Sequence, residues 1–276
     1  MEYVLTLSCA DRVGIVHAVA AYLHEAGCNV LDSQQFADRI AGRFFMRVHV
    51  ETLPGARADL AAGFASVAAE FGMEWALHDT AVRPRALILV SKAGHCLNDL
   101  LYRRSAESLN IDVPLVAGNH PDLAGLAEAH GVPFEHVPAG ETSEARLLEI
   151  VGDLRIDVVI LARYMRILSP ELCGKLPGRI INIHHSFLPS FKGARPYHQA
   201  HARGVKLIGA TAHYVTADLD EGPIIEQEVV RVDHAYSPRD LVAVGRDAER
   251  IALARAVRWH AEHRVLLHGH RTVVFR

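Results

Sequence analysis

Arg85-Ala86-Leu87-Ile88-Leu89-Val90 is a nearly unbroken apolar run of strand-forming residues, and it decides the fold. A strand wet on one face alternates apolar with polar side chains. A run without alternation fits a strand buried on both faces, as in a parallel sheet covered by helices. Downstream, further strands are expected at residues 113–117, 134–137, 157–161 and 179–183, with helical spacing near 97–109, 122–130 and 143–154. Such alternation predicts a doubly wound, mostly parallel α/β domain, in which ligands bind beyond the carboxyl ends of the strands. Residues 208–215 and 224–232 read as two later strands, expected to be antiparallel. Ser237-Pro238-Arg239-Asp240 opens the last long helix, with a Ser cap, Pro at the first position and an acid three residues after the cap.

Upstream the pattern is different. Residues 2–8 alternate as a strand, and 9–14 form a turn in which Asp11 is the expected helix cap. Residues 15–26 carry apolar side chains at helical spacing, and Gly27 closes that helix. Strands are expected at 29–36 and 43–50, then a helix at 56–71 stopped by Gly72, then a strand at 74–78. This βαββαβ order is the ferredoxin-like arrangement. The pattern restarts around 81–84, which divides the chain into 1–83 and 84–276.

Composition bounds the function. The 276 residues are 50% apolar and 22% charged, enough to bury substantial cores. Lys plus Arg number 29 against 32 acids, which argues against a protein that holds nucleic acid or anionic membrane by broad attraction. No apolar run approaches the length needed to cross a bilayer, which takes about 20 residues. The N-terminus lacks the pattern of a secretory signal, and the four cysteines are scattered without a CxxC pair, so a cytoplasmic protein without disulfides is expected.

The densest polar cluster follows the expected strand at 179–183: Asn182-Ile183-His184-His185-Ser186-Phe187-Leu188-Pro189-Ser190-Phe191-Lys192-Gly193. Side chains alternate along a strand, so Asn182 and His184 share a face at its carboxyl end. An enzyme acting on an amide needs a donor for the developing oxyanion and a group that moves protons near neutral pH. Asp220, in the turn-rich Leu219-Asp220-Glu221-Gly222-Pro223, could orient a water and stabilise a cationic His184. Residue types alone leave a second reading open, in which His184 is a hydrogen-bonded core histidine.

Residues 179–228, with Asn182-Ile183-His184, Gly209-Ala210-Thr211-Ala212-His213-Tyr214 and Leu219-Asp220-Glu221-Gly222-Pro223, resemble the folate-dependent formyltransferase family. The resemblance implies a formyltetrahydrofolate-binding α/β domain with Asn182, His184 and Asp220 as its catalytic set. The run Leu161-Ala162-Arg163-Tyr164-Met165-Arg166-Ile167-Leu168 also matches. It implies a folate pocket bordered by Met165, Arg166, Ile167 and Leu168 on one side and by Thr216, Leu219 and Gly222 on the other. The transformylases of this family place a Gly- and Ser-rich phosphate loop after the first strand. Here that position reads Ser91-Lys92-Ala93-Gly94-His95-Cys96-Leu97. His95-Cys96-Leu97, the run 189–200 and the N-terminal unit resemble the deformylase branch instead, which hydrolyses 10-formyltetrahydrofolate to tetrahydrofolate and formate for purine synthesis. Gly94 stands where that branch tends to carry Asp, and Gly118 where a serine is expected.

The first unit resembles an ACT domain, an amino-acid-sensing module that also assembles oligomers. Asp11, Gly14 and Ile15 lie where such domains carry a ligand loop, so an amino-acid effector and a homodimer or homotetramer are expected. His95 and His198 are further pocket candidates, with His185 and Lys192 behind them. No metal site is expected: His184 and His185 should face opposite sides of a strand, and His268 with His270 lacks a third ligand. No cofactor is implied beyond the folate substrate. Two alternatives remain open at this point, formyl transfer to an amine such as glycinamide ribonucleotide and folate binding without turnover.

Overall fold

The computed structural model describes residues 1–55, 59–188 and 196–276. They form two compact units, Met1–Val82 with Glu262–His268 and Val273–Arg276, and Arg83–Ala261 with Gly269–Thr272. None of the helices among the described residues is long and apolar enough to cross a membrane.

In the first unit β1 (Glu2–Ala10), α1 (Ile15–Glu25), β2 (Cys28–Asp38), β3 (Arg43–Thr52), α2 (Leu60–Phe71) and β4 (Glu74–Asp79) follow the expected βαββαβ order. The sheet is antiparallel in the order β2-β3-β1-β4. Apolar side chains of α1 (Ile15, Val19, Leu23) and α2 (Leu60, Phe64, Ala68) cover Leu5, Leu7, Met46 and Val48 of the sheet. Asp11 is not the cap of α1. Strand β1 runs on to Ala10, the Asp11 N–H donates to the Gly42 carbonyl, and the turn completes at Gly14, whose φ of 101° needs no Cβ. Asp59 caps α2 by accepting from the Ala62 N–H at 2.8 Å, and the expected helical residues 56–58 lie outside the described residues.

The second unit contains β5 (Arg85–Val90), α3 (His95–Ser105), β6 (Asp112–Gly118), α4 (Ala124–Ala129), β7 (Phe134–His136), α5 (Ser143–Asp153), β8 (Val158–Leu161), α6 (Pro170–Lys175), β9 (Ile180–His184), α7 (Pro196–Ala202), β10 (Leu207–Tyr214), β11 (Ile224–Arg231) and α8 (Pro238–Ala261). Its sheet order is β11-β10-β9-β8-β5-β6-β7. The strands β5 to β9 pair in parallel, and β10 and β11 are antiparallel additions at the edge. Strand β5 is buried from Ala86 to Val90, as its unbroken apolar run requires. The chain leaves β5 for β6 and β7, then returns to β8 on the other side. Order therefore reverses between β5 and β8, where open α/β sheets leave a crevice at their carboxyl ends. The two loops at that crevice are joined, because the Met165 N–H donates to Ser91 Oγ at 2.9 Å.

Ser237 and Asp240 exchange the expected capping hydrogen bonds at the start of α8. Along α8 the buried residues Ala248, Ala252 and Ala256 are small, which lets the helix lie close on β9, β10 and β11. The short α6 and α7 were not expected from spacing, since six or seven residues carry too little periodicity to read. Nor was the terminal pair β12 (Val265–His268) and β13 (Arg271–Val274). A single cut at 83/84 thus misses that Glu262–His268 and Val273–Arg276 belong with the first unit. There Arg47 Nη2 donates to the Glu262 carbonyl at 3.1 Å and His268 Nε2 lies 3.0 Å from Asp38 Oδ2.

Candidate active site

At the carboxyl ends of β8 and β9 lies a cavity of about 310 Å³. Its walls are residues 163–168 after β8, residues 182–185 at the end of β9, His213 on β10, and residues 215–220 in the loop between β10 and β11. Asn182 and His184 both reach it, as their period-two spacing predicts. His184 Nδ1 lies 3.3 Å from Asp220 Oδ1, and both side chains are largely buried. This hydrogen bond holds the Asp220 carboxyl below its ordinary range and outweighs the opposing effect of burial. Asp220 is therefore the ionised partner. His184 Nε2 is buried with no hydrogen-bond partner among the described residues.

His213 is the site residue that the sequence reading missed. It sits opposite Asn182 in the β9–β10 ladder, and its Nε2 is 3.2 Å from Asn182 Nδ2. Its Nδ1 is 2.8 Å from the Tyr214 carbonyl, which can only accept. Nδ1 thus carries the hydrogen, and Nε2 accepts from the Asn182 amide. That assignment follows from the bonding pattern. Burial lowers the His213 pKa, which keeps the ring neutral and able to accept. Cross-strand register supplies this pairing, and no spacing within one segment reveals it.

Two charged residues at the cavity sit on left-handed backbone, Arg163 at φ 65° and Asp220 at φ 56°. Asp tolerates this conformation, whereas Arg rarely adopts it. Gly222, expected to border the cavity, does not line it. It lies instead where a Cβ would collide with the Tyr214 carbonyl, so its bare backbone lets the 216–222 loop fold tightly against β10. Met165, Ile167 and Leu219 are more than half exposed at the cavity, forming an apolar stretch of its rim.

Three other expectations are corrected. His95 does not line the cavity; its Nε2 is bound to Glu249 Oε2 at 2.7 Å. His198 is exposed on α7 and borders a separate hollow with Ser237, Arg239 and Arg246. His184 and His185 do not point apart, because β9 ends at His184 and the two rings meet edge to face at 5.2 Å. Lys192 lies outside the described residues. In the first unit Asp11 is exposed and Gly14 opens α1, while the Ile15 side chain is core.

His95, Cys96 and Glu249 bring ligand-type atoms within 4.8 Å of one another, a grouping the sequence did not suggest. The Glu249 carboxylate is already shared by His95, Tyr197 and, at 3.4 Å, Arg163. Burial also pushes the Cys96 thiol far up, away from the thiolate a metal would need.

Residues 84–257 match the family described as formyl transferase, and residues 3–61 match the ACT domain. The chain belongs to the formyl transferase family. A formyltetrahydrofolate deformylase from Corynebacterium sp. (strain P-1) is 51% identical over 282 residues, covering 100% of this chain and 99% of that protein. The crystal structure of formyltetrahydrofolate deformylase from Burkholderia mallei superposes with a TM-score of 0.95 at 54% identity, covering 100% of this chain and 99% of that one. The glycinamide ribonucleotide transformylase 1 from Symbiobacterium toebii is 32% identical with a TM-score of 0.67, covering 70% of this chain and 95% of that one. Likeness to the deformylases therefore extends through both units of this chain, and likeness to the transformylase covers a smaller part.

Proposed function

We propose that the chain hydrolyses 10-formyltetrahydrofolate to tetrahydrofolate and formate, with Asn182, His184 and Asp220 as the catalytic residues. The observation that carries this reading is the buried His184–Asp220 pair beside the Asn182 amide in one cavity with an apolar rim. The full-length likeness to the deformylases supports the same reaction.

Each group then has a step. Ionised Asp220 orients a water and takes its proton as the oxygen bonds to the formyl carbon. Negative charge develops on the formyl oxygen, where the second N–H of the Asn182 amide and a protonated His184 Nε2 donate. His213, by accepting the first amide hydrogen, fixes the orientation of that donor. As the C–N10 bond breaks, N10 leaves with the proton of His184 Nε2. The chain's own groups supply every charge and proton in this scheme, and we propose that folate is substrate and no further cofactor is used. The proposal also takes the chain as a cytoplasmic homo-oligomer whose ACT unit binds an amino-acid effector, supported by the family match at residues 3–61.

The test is formate release from 10-formyltetrahydrofolate with no acceptor present. Wild type turns over, and Asn182→Ala loses about 100- to 1000-fold in kcat, the usual cost of one oxyanion donor. Asp220→Asn loses at least as much, since base and charge go together. Near-parental hydrolysis by either variant would remove that residue from the mechanism.

A further inference from the structure

Behind the Arg163–His185 wall of the cavity lies a buried polar hub that the chemistry above does not use. Its centre is Glu249 on α8, a carboxylate with only 1% of its side chain exposed. Glu249 Oε1 accepts from the Tyr197 hydroxyl at 2.8 Å, and Oε2 binds His95 Nε2 at 2.7 Å and faces Arg163 Nε at 3.4 Å. A carboxylate removed from water costs several kcal/mol unless it is paired and hydrogen-bonded, and here three elements converge to pair it. The hub has a second costly feature. Gly245, four residues before Glu249 inside α8, would drive any Cβ into the Tyr197 ring. Glycine weakens a helix interior by about 1 kcal/mol relative to alanine, so the seat for Tyr197 is kept against a local penalty.

The hub reaches the reaction centre through contacts of rings and charge. Tyr197 packs edge to face on His185 with centroids 6.4 Å apart, and His185 packs on His184 in the same manner. Arg163 and His185 are both cavity walls. His95 is the first residue of α3, entering the hub from the loop after β5. Burial and the Arg163 charge hold the His185 pKa down to about 4, so the His185 ring stays neutral beside the His184–Asp220 pair.

We propose that Glu249 is a positioning residue, which by gathering His95, Tyr197 and Arg163 holds the Arg163–His185 wall shut and so admits water to the formyl carbon while excluding a primary-amine acceptor. This rests on the hydrolytic reading above and identifies what makes that site a hydrolase rather than a transferase. Water needs no more room than the cavity provides beside Asp220. A primary amine, even a small one, needs more room beside the formyl carbon than water does, and the filled hub denies it by holding the wall in place.

The experiment supplies 10-formyltetrahydrofolate with and without glycinamide, a small primary amine, and quantifies formate and N-formylglycinamide for the full chain and its variants. Wild type yields formate alone. Glu249→Gln, which keeps the shape and loses the charge, and Tyr197→Leu, which opens space behind His185, release formate about 10- to 100-fold more slowly, as expected for a misplaced reacting geometry. Their KM for the folate stays within about threefold, because the rim that binds it is untouched. In both, the ratio of N-formylglycinamide to formate rises about tenfold or more, the discrimination a pocket wall provides. A hub that merely stabilised the fold would lower the amount of active protein without moving this ratio. If either variant fails to fold by near-ultraviolet circular dichroism, Tyr197→Phe decides, since it keeps the ring in its Gly245 seat and loses one hydrogen bond. Folded variants with wild-type kcat and wild-type product ratio overturn the inference and leave the hydrolytic reading intact. Wild type that makes no formate removes the hydrolytic reading and this inference together, whereas wild type that releases formate but formylates glycinamide as fast overturns the inference alone.

Discussion

Two histidines adjacent in sequence have opposite assignments, and burial with neighbouring charge separates them. His184 is paired with a carboxylate, whereas His185 faces Arg163 and is held neutral, with its pKa lowered from 6.5 to about 4. The sign of the consequence follows. Between pH 6.5 and 4 the unfolded chain takes up a proton at residue 185 that the folded chain refuses, so stability is full above that window and falls as pH drops through it. The size is at most about 3.5 kcal/mol, from a shift of roughly two and a half pH units at about 1.4 kcal/mol each. Urea unfolding of wild type and His185→Gln at pH 7, 5.5 and 4.5 measures it. The stability difference between the two proteins should move toward the variant as pH falls. A difference that stays constant would mean that the folded His185 takes its proton as readily as an unfolded histidine. At this scale the sequence was legible where one strand sets the geometry, as for Asn182 and His184. It was silent where partners come from other elements, as for His213 across the ladder and Glu249 on α8. His95 and His198 drew attention as histidines inside familiar runs, and only tertiary packing turns one toward Glu249 and the other toward solvent.

At the scale of elements, β5 could be read to its last residue because burial on both faces leaves a continuous apolar run. The same logic explains two glycines that depart from the deformylase pattern. A Cβ on Gly94 would meet Leu123 Cδ2 at 2.9 Å and Leu126 Cδ2 at 3.2 Å, so leucines fill the space where an acid was expected. A Cβ on Gly118, at the end of β6, would meet Phe134 Cζ at 2.7 Å and the His120 carbonyl oxygen at 2.8 Å. Leucine methyls can turn aside, but a backbone carbonyl cannot. Gly118→Ser should therefore destabilise the protein by about 1–3 kcal/mol, the usual cost of overpacking. Its Tm should fall by at least about 2 °C. Thermal unfolding followed by circular dichroism reads this directly, and a Tm equal to or above wild type would show that Phe134 and the 118–120 turn yield without cost.

At the scale of the whole molecule, the chain order hides one feature that no local pattern announces. Residues 262–268 and 273–276 complete the first unit, although 179 residues of the second unit intervene between Val82 and Glu262. The chemistry there is specific. Arg47 is a buried arginine whose side chain is 4% exposed, with Asp32 at 3.3 Å and the Glu262 carbonyl as its partners, and burial lowers its pKa. His268 packs edge to face on Phe45 at 4.9 Å and pairs with Asp38, and His263 stacks on His78 at 3.5 Å. Ending the chain after Ala261 would leave the Arg47 guanidinium one acceptor short in a buried place. An unmet hydrogen bond to a buried charged group costs more than the roughly 1–3 kcal/mol of a neutral one. The loss should be local. Hydrogen exchange read by mass spectrometry should show β2 and β3 losing protection in the shortened chain, most of all around residues 32–38 and 43–48. The buried strand at 85–90 should keep its wild-type protection, since its partners β6 and β8 are untouched. Unchanged exchange in β2 and β3 would mean that the terminal segment adds nothing to the first unit. Equal loss in both units would mean that the two open together as one cooperative unit.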